Sequence, residues 1–229
     1  MDPSRRRWLA AALAAGASPA LAGTQAPAPG AARPIGDEGV GPGEDLMREH
    51  GVLNRLLLVY EEAIRRIRAG APPPLDEVRR AAGLVKRFLE DYHEKLEEEH
   101  LFPRFERAGK HTDLVGVLRA QHLAGRRVTA AVLTLAAPGS DRKGAPALAD
   151  QLGRFVRMYR PHEAREDTVL FPAFRDLVTR EEYERLGEEF ESREEKALGH
   201  EGFERVVDEV AGIEKALGIF DLASFTPVA

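Results

Sequence analysis

The sequence of 229 residues has no cysteine and a single tryptophan. Without cysteine, the chain cannot form a disulfide framework, a zinc–thiolate site or a thiol nucleophile. A basic face is also missing, because 33 lysines and arginines are interspersed with 38 aspartates and glutamates, for a formal charge of −5. Nucleic acid or an acidic membrane surface is therefore not expected as a main partner. The chain also lacks a glycine-rich phosphate loop and a nucleophile elbow, which argues against phosphate-binding and serine-hydrolase chemistry.

The N-terminus carries an apolar segment that is too short to span a bilayer. A serine and three arginines occupy residues 4–7, an alanine-rich stretch follows, and residues 20–22 read Ala-Leu-Ala, a small-x-small cleavage site. Residues 1–22 are therefore interpreted as a signal peptide that resembles a twin-arginine signal, with an ordinary secretion signal as the alternative. Since no lipid-anchor cysteine follows, we expect a periplasmic or secreted protein without stable membrane insertion. Residues 23–43, rich in alanine, proline and glycine, are expected to form a linker.

From residue 44 onward, the spacing of the apolar residues predicts helices throughout. Apolar residues recur every three or four positions, and the breaks fall at glycine and proline clusters. The predicted helices are four long ones, 44–69, 75–108, 112–136 and 146–177, and two shorter ones, 180–198 and 201–217. Four long helices with short loops are typical of an up-down-up-down four-helix bundle. The expected fold is therefore all-α, with one domain over 44–219 and a C-terminal tail over 220–229.

Two segments of the predicted second and fourth helices match in the same register. Residues 93–105 read HEKLEEEHLFPRF, and residues 162–174 read HEAREDTVLFPAF. The first and third helices carry a weaker echo, since His50 and His122 each follow a leucine by four positions. The domain is therefore interpreted as a duplicated helical hairpin, in which a helix with one histidine precedes a helix with His-x-x-x-Glu.

The duplicated positions include residue types that bind metals. In His-x-x-x-Glu the imidazole and the carboxylate are one helical turn apart, so they lie on one face and can meet one metal ion. The duplication brings four histidines and two glutamates to one layer of the bundle: His50, His93, Glu97, His122, His162 and Glu166. This ligand set suits iron or manganese, with zinc possible and copper less favoured. Two carboxylates among four imidazoles indicate two metal ions bridged by carboxylates, and the cations would offset the cost of burying them.

The paired motif resembles the hemerythrin-like, cation-binding His-His-Glu family over residues 44–177. The Phe-Pro pairs after each His-x-x-x-Glu, at residues 102–103 and 171–172, belong to the same motif. The resemblance implies that the six residues above are the ligands of two non-haem iron ions, with Glu97 and Glu166 bridging them. It also extends to the two C-terminal helices, which many members of the family carry.

The chain departs from the dioxygen-carrying members of that family. These members have a second histidine four residues after the one in the third helix, where this chain has Arg126. Their last helix uses an aspartate five residues after its histidine, whereas this chain has Glu166 at four, followed by Asp167. The resemblance thus implies four histidine ligands and a more symmetric site. Some members also use the residue after the second-helix histidine, which nominates Glu94 and, by symmetry, Glu163; a solvated surface position is the alternative.

Three further side chains are candidates for a supporting role near the metal. His100 lies seven residues after the second-helix histidine, on the same helical face, and is either a proton-handling group or a packed histidine. Tyr92 and Tyr159 lie within one turn of the ligands, and they either reach the site or belong to the core.

The leading functional hypothesis is an exported non-haem di-iron protein that binds dioxygen, peroxide or nitric oxide. The alternatives are a di-iron enzyme that reduces or dismutates hydrogen peroxide, and a protein for iron storage or sensing. A purely structural bundle is disfavoured, because six polar residues at inward positions would need other partners. Ferritin-like oxidases require Glu-x-x-His on two helices, and here both copies of that spacing, ending at His93 and His100, are on the predicted second helix.

Overall fold

Six helices form the parts of the chain that the structure describes. The computed structural model describes residues 40–140 and 142–227. The helices are α1 (Pro42–Arg68), α2 (75–108), α3 (Thr112–Leu135), α4 (145–175), α5 (Arg180–Leu198) and α6 (Gly202–Leu217). Two short 3₁₀ turns, Arg142–Gly144 and Leu222–Phe225, complete the regular structure of these ranges.

The all-α prediction is confirmed for the described residues, and each helix begins and ends within two residues of its predicted limits. Thr179 caps α5 by accepting a hydrogen bond from the backbone N–H of Glu182 at 3.2 Å. Gly109 and Gly218 follow α2 and α6 in the left-handed conformation, which glycine adopts without strain. The first helix starts at Pro42, so the last two residues of the expected linker are helical.

Helices α2 and α4 contain π-helical segments at the repeated motif. These segments are Val85–His93 and Glu97–Leu101 in α2, and Glu166–Leu170 in α4. The remaining parts are α-helical: Leu75–Leu84, Glu94–Leu96 and Phe102–Ala108 in α2, and Ala145–Arg165 and Phe171–Arg175 in α4. A π-helical turn hydrogen-bonds from residue i to i+5, and such turns are frequent at functional sites. The sequence did not predict them, because the spacing of the motif is equally compatible with a regular α-helix.

The four long helices pack in a closed ring, in which α1 and α3 each contact both α2 and α4. Buried apolar side chains fill the interior, and phenylalanines are prominent among them: Phe88, Phe102, Phe105, Phe155, Phe171 and Phe174. Burial of each such ring contributes about 2–3 kcal/mol. The shorter helices α5 and α6 contact α1 and α2, and Phe190 of α5 is buried there. The C-terminal helices therefore cover the α1–α2 side of the ring.

Several expectations concern the ends of the chain. The predicted signal peptide, residues 1–22, and most of the predicted linker lie outside the described residues. Within 40–140 and 142–227, no helix combines the length and the apolar character that a membrane span requires. In the expected tail, the side chain of Leu222 is 80% exposed.

Candidate metal centre

Six polar side chains are buried in the interior of the four long helices. They are the six residues that the sequence predicts as metal ligands: His50, His93, Glu97, His122, His162 and Glu166. Helices α1 and α3 each contribute one histidine, and α2 and α4 each contribute one histidine and one glutamate. None of the six residues is more than 3% exposed. Buried polar groups in proteins normally have partners, so this arrangement requires a physical reason.

The four histidines form two pairs in which the Nε2 atoms face each other. In the first pair, His50 and His93, these atoms are 3.1 Å apart. In the second pair, His122 and His162, they are 3.2 Å apart. Each pair combines the two helices of one hairpin, so the duplication relates the pairs. We call them the first half and the second half of the centre.

The two glutamates lie between the halves. Oε1 of Glu97 is 3.7 Å from Nε2 of His93, and its Oε2 is 3.4 Å from Nε2 of His122. Oε2 of Glu166 is 3.5 Å from an imidazole nitrogen of the first half and 3.1 Å from one of the second. Among the described residues, none forms a hydrogen bond with any of the four carboxylate oxygens. Each carboxylate is thus placed where both halves can share it.

The other ring nitrogen of every histidine, Nδ1, is held by a side chain outside the ligand layer. The pairs and their Nδ1 to oxygen distances are His50–Asp167 at 2.7 Å, His93–Glu49 at 2.7 Å, His122–Glu98 at 3.1 Å and His162–Gln121 at 2.9 Å. We call these four acceptors the outer partners. Because an oxygen lies at each Nδ1, that nitrogen carries a proton, and Nε2 is the atom that faces the centre and can bind a cation there. Hydrogen bonds of this kind orient imidazoles that bind metal ions.

The centre therefore collects electron-pair donors that need a cation. Facing lone pairs and buried carboxylates repel one another, and a proton or a metal ion between them removes the repulsion. Nitrogen and carboxylate oxygen together suit iron, manganese or zinc. The side chains form two compact groups, each of which could hold a metal ion: His50, His93 and Glu97, and His122, His162 and Glu166.

The same repulsion shifts the pKa values of these groups. Burial, together with the charge of Glu166, raises the pKa of Glu97 to about 8. Burial lowers the pKa of His50 and of His122, but the carboxylates around them outweigh it and raise these pKa values to about 9 and about 10. Burial and the neighbouring imidazoles lower the pKa of His93 well below its ordinary value. Without a metal ion, the centre therefore retains protons at neutral pH.

A phenylalanine from each Phe-Pro pair closes the centre. Phe171 stacks on His50 with ring centroids 5.4 Å apart, and Phe102 stacks on His122 at 5.5 Å. Both phenylalanines are buried. Since they exclude water from the imidazoles, they keep the local dielectric constant low and strengthen the electrostatic interactions of the centre.

The two additional ligand candidates are buried, so the solvated alternative is wrong for both. Glu94 forms a group with Glu98 and His122, whose ligand atoms lie within 4.8 Å of one another and could hold a metal ion, whereas Glu163 belongs to no such group among the described residues. Glu94 accepts hydrogen bonds from the Tyr159 hydroxyl at 2.6 Å and from Arg126 at 2.7 Å, one on each oxygen. Glu163 is 5% exposed, and burial raises its pKa to about 7. A ligand role for either residue stays a prediction.

The three candidates for a supporting role have different surroundings. The ring of Tyr159 is 5.3 Å from an imidazole of the second half. Tyr92 is buried beside the outer partner Glu49, and burial together with acidic neighbours raises its pKa. His100 contacts α5, where its ring packs edge-on against Phe190 at 5.4 Å. The tyrosines therefore adjoin the centre, whereas His100 packs against a covering helix.

The sequence did not single out the outer partners, although they occupy repeated positions. Glu49 and Gln121 directly precede the histidines of α1 and α3, and Glu98 and Asp167 directly follow the two shared glutamates. A comparison of the repeats that included the neighbours of each ligand would have found all four. The sequence likewise gives no sign of the role of Arg126, whose guanidinium donates a hydrogen bond to the outer partner Glu98 at 2.7 Å.

Comparison with known proteins gives independent information about these residues. Residues 42–174, which include all six buried ligand candidates, match the family model described as the hemerythrin HHE cation binding domain. Uncharacterized proteins of Mycobacterium tuberculosis strain H37Rv and of Mycobacterium bovis are each 50% identical to the chain over 186 residues, which is 80% of this chain and 73% of theirs. No solved structure matches the chain.

Proposed function

Because this chain belongs to the hemerythrin family of HHE cation-binding domains, we propose that it holds two non-haem iron ions and binds dioxygen, peroxide or nitric oxide there. One observation carries the proposal. Four carboxylate oxygens of Glu97 and Glu166 are buried between two pairs of imidazoles, and none forms a hydrogen bond within the described part of the chain. Two cations would satisfy these oxygens and the facing Nε2 lone pairs together.

The residues would divide into two similar ligand sets. Each half would hold one ion through its two Nε2 atoms and through the shared oxygens of Glu97 and Glu166. Mixed imidazole and carboxylate ligation with positions left for a small molecule is typical of non-haem iron, and manganese or zinc would fit the same donors. Bound iron would supply the electron transfer that dioxygen, peroxide or nitric oxide requires.

The surrounding residues would prepare this binding. The outer partners fix the Nδ1 tautomer of each imidazole, so its Nε2 is already directed inward before an ion arrives. Phe102 and Phe171 keep water away from the histidines on which they stack. Since little reorganisation is then needed, we expect the ions to bind tightly.

Reduction or dismutation of hydrogen peroxide is a second candidate function, and one hydrogen bond favours it. The hydroxyl of Tyr159 donates to the buried carboxylate of Glu94 at 2.6 Å, and the Tyr159 ring lies 5.3 Å from that of His162. A buried phenol and carboxylate beside the second half could hold and move a proton toward a bound peroxide. This candidate uses the same metal centre and differs only in turnover.

The proposal extends to the architecture and the location of the protein. The closed ring of α1 to α4 supports an up-down-up-down four-helix bundle built from a duplicated hairpin. Residues 1–22 support export through the twin-arginine route, which carries folded proteins and would allow the metal to be loaded beforehand. A reporter fused to residues 1–39 should be exported by that route and retained when Arg5 and Arg6 are both replaced by lysine.

Metal content tests the proposed site. The purified protein should contain two metal equivalents, and Glu97→Ala or Glu166→Ala should abolish this loading, because each carboxylate is shared by both halves. Glu90→Gln is the matched control, since Glu90 is buried on α2 but does not belong to the centre. Two equivalents retained by both alanine variants, measured by elemental analysis, would refute the assignment.

Spectroscopy separates the two candidate functions. The iron-loaded protein is reduced without air and exposed first to dioxygen or nitric oxide, then to peroxide. Absorption bands that appear and disappear reversibly without consumption of peroxide would support binding. Sustained consumption of peroxide over many turnovers would support the enzyme.

A further inference from the structure

The two halves of the centre have the same ligands but different outer partners. The duplication relates His93 to His162, and residues at matching positions hold their Nδ1 atoms: the carboxylate of Glu49 and the neutral amide of Gln121. The α1 and α3 histidines have carboxylate outer partners in both halves. The exchange of glutamate for glutamine therefore distinguishes the halves.

Further acidic side chains lie beside Glu49. Asp45 of α1 and Glu194 of α5 are buried beside it, and oxygens of the three carboxylates lie within 4.8 Å of one another. In the second half, the position that matches Asp45 is Val117. Arg48 pairs with Asp45 at 3.2 Å and offsets part of the charge of these three carboxylates, and the remaining negative charge favours a bound cation in the first half.

A positive side chain acts in the opposite direction in the second half. Arg126 donates hydrogen bonds to Glu94 and Glu98 at 2.7 Å each, and Glu98 is the outer partner of His122. The matching position of α1 is the neutral Asn54. Because the guanidinium shares the charge of Glu98, less of that charge is available to the imidazole.

The second half is also close to a surface opening. A pocket of about 350 Å³ is lined by the hydrogen-bonded pair Gln121 and His162, by apolar side chains that include Val117, and by the charged Asp113 and Arg165. Val117 is 53% exposed, whereas the matching Asp45 of the first half is only 6% exposed and lies beside Glu194 of the covering helix α5. The Gln121–His162 hydrogen bond of the second half therefore lies at a surface pocket.

We propose that the two metal positions are unequal, and that the position at His122 and His162 binds its ion more weakly and exchanges it faster. This inference rests on the dinuclear site proposed above. A carboxylate acceptor draws the Nδ1 proton more strongly than an amide does, so it leaves the imidazole a stronger ligand. Loss of such a partner typically weakens metal affinity by about 10- to 100-fold. We expect a difference of this size between the dissociation constants of the two metal positions.

The test is a calorimetric titration of the metal-free, full-length chain with Mn²⁺. We expect two steps whose dissociation constants differ by about 10- to 100-fold. His162→Gln should remove the weaker step, and His93→Gln should remove the tighter one. Two equal steps in the unaltered protein, or the reverse assignment, would overturn the inference while leaving the dinuclear site intact. Fewer than two equivalents, even at saturating Mn²⁺, would overturn both.

Exchange of the outer partners is the sharper test, because it leaves all the ligands in place. Gln121→Glu should tighten the weaker step by roughly 10-fold, and Glu49→Gln should loosen the tighter step by a similar factor. Gln151→Glu on α4 is the matched control, since it adds the same charge eleven residues before His162. Circular dichroism should show that all three variants are folded. If Gln121→Glu leaves both steps unchanged, the inference is wrong.

Metal release provides an independent readout. With excess chelator, one equivalent should leave the unaltered protein faster than the other, and Gln121→Glu should slow the fast phase. A single release phase for both equivalents would contradict unequal positions.

Discussion

The first and second halves of the metal centre have the same ligand types in nearly the same geometry, yet their surroundings differ. The facing Nε2 atoms are 3.1 Å apart in one half and 3.2 Å in the other, and a phenylalanine stacks in each. By contrast, buried carboxylates and α5 surround the first half, while the second half has Arg126 and a surface pocket. A duplicated hairpin can thus reproduce a set of ligands while leaving their charge environment and their access to be set separately.

The largest expected effect is a loss of stability of the metal-free protein as the pH rises. The pKa values of His50 and His122 are raised from 6.5 to about 9 and about 10, so the folded state holds these protons more tightly than the unfolded state. This stabilisation is fully present below about pH 6.5 and is lost as the pH rises through the raised values. The loss should reach up to about 1.4 kcal/mol per pH unit for each histidine.

Thermal unfolding between pH 6.5 and 9, with chelator present, measures this effect. The raised pKa of Glu97 acts in the same direction, and the lowered pKa of His93 matters only below pH 6.5. His50→Gln and His122→Gln should each reduce the slope of the free energy of unfolding against pH. The two reductions show how much each half contributes to that slope. Bound Mn²⁺ should flatten the slope, because the metal replaces the protons. A midpoint that rises with pH in chelator would contradict the charge assignment.

The next largest effect should follow loss of the stacked phenylalanines. Phe171→Ala and Phe102→Ala should each lower the free energy of unfolding by about 3–5 kcal/mol, since each leaves a cavity beside an imidazole. Phe171→Ala should weaken metal binding mainly in the first half, and Phe102→Ala mainly in the second. Denaturant unfolding and Mn²⁺ titration measure the two effects. Phe220→Ala is the control, because Phe220 is 47% exposed and its loss should cost little.

The smallest of the three effects should come from Gly125, whose counterpart in the first repeat is Leu53. A Cβ at Gly125 would lie 2.1 Å from the hydroxyl oxygen of Tyr159, so Gly125→Ala must displace the ring and break its hydrogen bond to Glu94. We expect a loss of about 1–3 kcal/mol in unfolding free energy. Gly116→Ala on the same helix meets nothing within 4 Å and should instead stabilise by about 0.5–1 kcal/mol. Equal effects of both variants would contradict the close packing of Tyr159.

Local patterns predicted the helices and the convergence of the six ligand candidates. A spacing of four residues places His93 and Glu97 on one helical face in any environment, and the repeat supplies the second copy. His100 shows the limit of this reasoning. His100 lies within the π-helical segment Glu97–Leu101, so a regular 3.6-residue period does not give the direction of its side chain, which packs against Phe190.

Partners distant in sequence could not be predicted in the same way. Asp167 lies 117 residues after His50, to which it is hydrogen-bonded. The sequence places Glu94 either at the metal or at the surface, and it does not predict that Arg126 of α3 and Tyr159 of α4 hydrogen-bond to its two oxygens. Such contacts depend on the rotation of each helix about its axis, which is set by packing against several neighbours at once.

The amino-acid sequence alone determines the all-helical character, the duplicated hairpin and the choice of imidazole and carboxylate as ligands. These features depend only on residue type and on a short helical period. Only the tertiary structure decided which half is covered by α5 and α6, where Glu194 lies, and that Gln121 opens onto a pocket. The physical reason is that burial and electrostatic potential sum over residues from several helices. The duplication therefore specifies a symmetric set of ligands, and the packing around it makes the two halves different.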